Sequence, residues 1–135
     1  MEGYLQRLDA KDVSGVLGYY MQDSMVEWEG QAGPYAGIYN GLSNIRLLFA
    51  SFIGNTESSN SSSSGTLIGK SKDYYSLTTD VKRSGESLLA GGFVMTIGLR
   101  QSWVKVHQSP PSWKLKHDIW KFKSVWLESL TGGAF

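Results

Sequence analysis

Apolar residues in this chain repeat with two periods, and the change from one to the other falls near residue 55. Before it, side chains recur at helical spacing. Val13, Val16, Leu17 and Tyr20 form one stripe, and Ile45, Leu48, Phe49 and Phe52 form another. After it, residues alternate. Phe93, Met95, Ile97, Leu99 and Trp103 share one parity, with Val94, Thr96, Gly98 and Arg100 on the other. Helices first and hairpin-linked strands last describe an α+β chain.

The local signals give the elements. Residues 2–8 predict a short helix with Tyr4, Leu5 and Leu8 on one side. Asp12 is placed to cap the next helix, which Gln22-Asp23-Ser24 is expected to end. Residues 25–29 read as a strand, 30–34 as a turn and 36–39 as a second short strand. Ser43 is the expected cap of a third helix and Gly54 its stop. The serine-rich stretch 58–64 reads mostly as a mobile loop, the alternative being the start of an exposed edge strand. Ser84-Gly85 is a hairpin-turn signal, residues 109–112 must break pairing, and a last strand runs from Trp113 to about Leu130. The expected architecture is three N-terminal helices on a strongly curved, mostly antiparallel sheet, a cone with a pocket. Residues 1–130 form one domain in this reading, and 131–135 a flexible tail.

Composition narrows the classes of function. Thirteen basic side chains face twelve acidic ones, a net charge of +1, which gives no field for nucleic acid or an anionic membrane. Cysteine is absent, so disulfides and thiolate metal sites are excluded. His107 and His117 are the only histidines and show no metal-ligand spacing, so neither a metal nor a cofactor is expected. Without a leader signal or a membrane-length apolar run, the expectation is a soluble, cytoplasmic protein.

The segment from Tyr4 to Trp28 resembles the opening of nuclear transport factor two-like (cystatin-like fold) domains, nearest the ketosteroid isomerase and polyketide-cyclase branch. Gly41-Leu42-Ser43-Asn44-Ile45 resembles the start of that family's third helix. His117-Asp118-Ile119-Trp120-Lys121-Phe122 resembles its last strand. The resemblance implies that Tyr4 and Asp118 are the pair that donates hydrogen bonds to a substrate oxyanion. In that enzyme class an aspartic acid in an apolar site stays protonated and can donate. It also implies that Trp28 stands where the isomerase carries its proton-shuttling aspartate, and that Phe49 stands where some members carry a supporting tyrosine. A homodimer through the convex face of the sheet is implied as well.

The leading expectation is therefore a small-molecule-binding domain. Its apolar pocket would be lined by Tyr4, Tyr20, Trp28, Phe49, Asp118 and Trp120, and its ligand would be compact, apolar and bear a carbonyl or hydroxyl. The alternatives are an isomerase-, cyclase- or dehydratase-type enzyme, with Tyr4, Asp118 and Glu29 as acid–base groups, and a protein-interaction module. Strand alternation sends Glu27 and Glu29 to the face opposite Trp28, unless a twist at Gly30 brings Glu29 to the pocket rim. In the last strand Asp118, Trp120 and Phe122 have one parity, while Trp113, Leu115, His117 and Ile119 have the other. Either a bulge swaps the faces or both faces are apolar.

Overall fold

Two short helices open the chain, α1 (Glu2–Asp9) and α2 (Val13–Leu17). Asp12 caps α2 as its spacing predicts, Oδ1 accepting from the Gly15 N–H at 2.9 Å. The helix is shorter than its stripe suggests, because Tyr20 already begins strand β1 (Tyr20–Gly30). Gln22-Asp23-Ser24 therefore lies inside a strand and does not end a helix. Ser24 explains the misleading signal. Its hydroxyl accepts from the Met21 N–H at 2.8 Å and donates to the Leu115 carbonyl at 2.6 Å. It thereby holds an irregular stretch where pairing with the last strand jumps from Tyr20–Leu115 to Met25–His117. A polar bulge of this kind looks like a turn in sequence.

The computed structural model describes residues 2–88, 90–107 and 112–128. Of the break expected at 109–112, residues 109–111 lie outside them, whereas Ser112 already pairs with Val106 in the last strand; the tail expected at 131–135 also lies outside them. After a single 3-10 turn (Gly33–Tyr35) come β2 (Gly37–Asn40) and α3 (Leu42–Gly54). The cap of α3 is Gly41 at φ +84°, a left-handed conformation that suits glycine; Ser43 lies within the helix. Gly54 is its last helical residue, followed by Asn55. Ile45, Leu48, Phe49, Phe52 and Ile53 are buried from this helix.

Four long strands follow: β3 (Thr56–Lys70), β4 (Tyr74–Ser87), β5 (Gly91–Val106) and β6 (Ser112–Leu127). Among the described residues the sheet has six strands in the order β2-β1-β6-β5-β4-β3. Neighbours are antiparallel except β1 and β6, which run parallel. The serine-rich stretch is thus an edge strand, not a loop. Serine offers little side-chain packing, but its backbone pairs along β4, and helix α1 ties it down. Asp9 accepts from the hydroxyls of Ser59 (2.7 Å) and Ser61 (2.8 Å) and from the Ser61 N–H (2.8 Å). Ser84-Gly85 likewise lies within β4 and makes no hairpin turn. A Cβ at Gly85 would sit 1.9 Å from the Ser58 carbonyl oxygen, so glycine here serves a close backbone approach beside an irregularity between Thr56 and Ser58.

Strand β6 carries two bulges against β5. Ser102 pairs with His117 but Trp103 with Leu115, leaving Lys116 as an extra residue; Thr96 pairs with Ser124 but Ile97 with Phe122, leaving Lys123 extra. Each bulge swaps the strand's faces. Leu115 therefore points inward with Asp118, Trp120 and Phe122, and Val125 and Leu127 rejoin the core beyond the second bulge.

Candidate functional site

At one end of the cone, four elements place polar side chains around a single carboxyl. Tyr4 comes from α1 and Tyr20 from the start of β1. Asp118 and Trp120 alternate along β6, and Gln101 is the cross-strand partner of Asp118 on β5. Tyr4 and Asp118 are both 0% exposed. Asp118 Oδ2 accepts from Tyr20 Oη at 2.6 Å, Trp120 Nε1 at 2.9 Å and Tyr4 Oη at 3.1 Å. Oδ1 accepts from Gln101 Nε2 at 3.1 Å, and Gln101 Oε1 in turn accepts from Trp103 Nε1 at 3.3 Å.

The two tyrosine hydroxyls also lie 2.7 Å from each other. Tyr4, Tyr20 and Asp118 thus form a triangle with three oxygen–oxygen contacts. Two hydroxyl protons fill only two of them, so when both tyrosines donate to Asp118 the Tyr4–Tyr20 contact carries no proton of its own. Burial pushes the Asp118 carboxyl above its ordinary range, against the opposing hydrogen bonds from Tyr20, Trp120, Gln101 and Tyr4. Burial, then the neighbouring Asp118 charge, raises both phenols well above theirs, so they stay protonated donors.

Beside this cluster the interior is aromatic. Trp28, 1% exposed, stacks on Trp120 and meets Phe52, Phe122, Phe49 and Tyr35 at ring separations of 4.7 to 6.0 Å. Phe49 also packs against Tyr20 and Trp120. Where sequence predicts open space, the chain's own rings are in contact. One polar atom in this cage is idle: Trp28 Nε1 is buried and has no acceptor among the described residues.

The structure brings together Tyr4, Tyr20, Trp28, Phe49, Asp118 and Trp120. It does not bring Glu29 to them. Alternation sends Glu29 to the exposed outer face, where it lines an open groove of about 370 Å³ with Arg100 and Lys121. The left-handed turn at Gly30 (φ +75°) follows Glu29 without turning it inward. His117 pairs with Ser102 and Met25, away from the carboxyl it precedes. Among the described residues no cluster of potential metal ligands occurs, and no helix is long and apolar enough to cross a membrane. Sequence reasoning missed Gln101 and Arg83. Gln101 interrupts the apolar parity of β5 between Leu99 and Trp103, a signal that could have marked it. Arg83 carries no comparable flag, because the residues around it, Asp80, Lys82, Ser84 and Glu86, are polar as well.

No family model matches the sequence, and no curated protein matches it. Solved structures do match its backbone. One is a nuclear transport factor 2-like superfamily protein from Salmonella enterica (13% identity, covering 99% of this chain and 91% of that one, TM-score 0.76). A second is a ketosteroid isomerase-like protein from Erwinia carotovora atroseptica (13% identity, 91% and 90%, TM-score 0.70). A third is a hexachlorocyclohexane dehydrochlorinase from Novosphingobium barchaimii (14% identity, 99% and 87%, TM-score 0.74). The chain has the nuclear transport factor two-like, cystatin-like fold that its opening segment resembles.

Proposed function

We propose that this chain is a small-molecule-binding domain whose ligand is compact, apolar and bears a carbonyl or hydroxyl oxygen. The observation that carries the reading is the unpartnered Trp28 Nε1, an N–H donor held inside an aromatic cage next to the Tyr4–Tyr20–Asp118 triangle. Buried donors are nearly always satisfied, and an idle one calls for an acceptor. A ligand oxygen supplies it as the ligand's body replaces part of the aromatic filling. The neighbouring phenols, held as donors beside Asp118, polarise that oxygen. They do not carry a proton between two carbons, because Glu29 and His117 lie on the other side of the sheet. The reading is therefore binding without ketosteroid isomerisation.

The test is titration of the protein with a naphthol and with a ketosteroid, followed by tryptophan fluorescence and native mass spectrometry. Saturable binding at or below about 100 μM, weakened in Trp28→Phe, supports the reading. No saturable binding to either probe, with no small molecule carried through purification, removes it. Isomerase turnover by the unmodified protein would overturn the non-catalytic part alone.

A second reading has its own observation. Val94 and Trp126 are cross-strand partners on the outer face and are 44% and 56% exposed. A homodimer through that face would cover them.

A further inference from the structure

We propose that Arg83 anchors a second binding site, between α1 and β3, for a small monocarboxylate with an apolar body. Arg83 projects from the inner face of β4 and is 1% exposed. Its Cζ lies 4.7 Å from the ring centroid of Phe52 and 5.0 Å from that of Phe93, so the flat cation is flanked by two phenyl faces. Nη2 donates to the Thr56 hydroxyl at 3.3 Å, whereas the buried Nε has no acceptor among the described residues. Among the described residues no carboxylate stands within ion-pair distance of it. The acid whose charge acts on it is Asp9. The oxygens of Asp9 are engaged by Ser59 and Ser61.

A guanidinium has five donors in a rigid fork, and removing it from water without a counter-charge is costly. Burial lowers the pKa of Arg83 only to about 10, so it remains charged at neutral pH. A desolvated planar cation with an idle edge matches a carboxylate, which accepts two parallel N–H bonds. The phenyl walls favour an apolar body on that acid. The nearby charge of Asp9 disfavours a second negative charge and so excludes a dianion.

The approach is a groove beside the edge strand that Arg83 itself does not line, so the ligand must part the Asp9 contacts to Ser59 and Ser61 to reach it. Ser61 is the cross-strand partner of Arg83. Ser61 and Asp9, with Leu5, Gln6 and Ser63, line a groove of about 560 Å³. The site is separate from the Asp118 cluster. Arg83 pairs with Met95 and Asp118 with Gln101 on the same strand, a separation on the order of 20 Å along β5. Failure of either binding reading leaves the other standing.

Calorimetry of the full chain tests it, with benzoate as ligand, benzyl alcohol as its uncharged counterpart and inorganic phosphate as the more highly charged anion. Benzoate is expected to saturate at about millimolar concentration or below, and the other two are not. Arg83→Met keeps length and apolar bulk between the rings. It is expected to fold with a Tm at or above that of the parent and to lose about tenfold or more in benzoate affinity. Benzoate binding no tighter than benzyl alcohol or phosphate overturns the proposal, as does unchanged affinity in Arg83→Met. A marked fall in the Tm of that variant would assign Arg83 a structural role instead. The unmodified protein supplies an independent reading by nitrogen-15 NMR. The Arg83 Nε–H resonance is expected to move as benzoate is added, and a resonance that stays in place counts against the site.

Discussion

Trp28 and Trp120 are direct partners across the parallel β1–β6 pair, and their indoles lie nearly face to face, 4.7 Å between ring centroids at an interplanar angle of 19°. The cluster's geometry depends on this stack. Trp120 is the residue whose Nε1 donates to Asp118, so the ring that fills the cone also orients the carboxyl.

Removing the ring should therefore be costly in two ways. Trp28→Ala leaves a ring-sized cavity and frees Trp120 to tilt, and we expect a loss of about 3–5 kcal/mol in denaturant unfolding. Trp28→Phe keeps a ring in place and discards an N–H that has no partner. We expect it to stay within about 1.5 kcal/mol of the parent, a much smaller loss than that of the alanine variant.

Asp118 should dominate the pH dependence of the interior. Its folded-state pKa is raised above the ordinary value of 3.8, chiefly by burial. Between those two values the native state binds more protons than the unfolded one. Its contribution to stability is therefore complete below the ordinary pKa and is lost as pH rises through the folded one, at up to about 1.4 kcal/mol per pH unit. Asp118→Asn removes that slope. Chemical denaturation of both proteins across acid pH should show the stability difference, parent minus variant, falling as pH rises. A difference that rises with pH would mean that Asp118 is ionised in the fold.

Gly85 should tolerate no side chain. The Ser58 carbonyl oxygen occupies the place of a Cβ, so Gly85→Ala must push β3 away from β4. We expect a loss of about 2 kcal/mol or more, with faster amide exchange concentrated in residues 58–64. Alanine at Gly54, where a Cβ meets nothing within 4 Å, serves as the control and should leave that exchange unchanged.

Trp126→Lys tests the outer face. If a second copy covers Val94 and Trp126, light scattering at micromolar concentration should show a dimer for the parent and a monomer for the variant. A monomeric parent removes the dimer.

Much of this arrangement was readable in advance, for physical reasons. Tyr4, Leu5 and Leu8 announce a buried helix face, and the single parity of Phe93 to Trp103 announces an inner strand face, because burial repeats with the backbone's own period. What misled was local. Ser24 and Gly85 serve bulges inside strands, yet in sequence they are indistinguishable from turn residues. The serines of β3 carry no strand preference, and their pairing depends on β4 and on Asp9, 50 positions before Ser59 and 52 before Ser61. The role of Gln101 becomes clear only when Asp118 is known to lie opposite it.

The two extra residues of β6 are both lysines, and each reaches an acid on the outside: Lys116 to Asp23 at 2.5 Å and Lys123 to Asp80 at 2.8 Å. The strand is in effect written in three reading frames, with Lys116 and Lys123 as the frameshifts. Deleting Lys116 alone would rotate either Leu115 or the Asp118–Trp120–Phe122 set out to solvent, although no interior residue had been altered. In a chain built this way, whether a carboxyl stands inside the cone is decided by insertion and deletion as much as by substitution. Alignments that compare such cones column by column will misplace their inward-facing residues wherever the bulges differ.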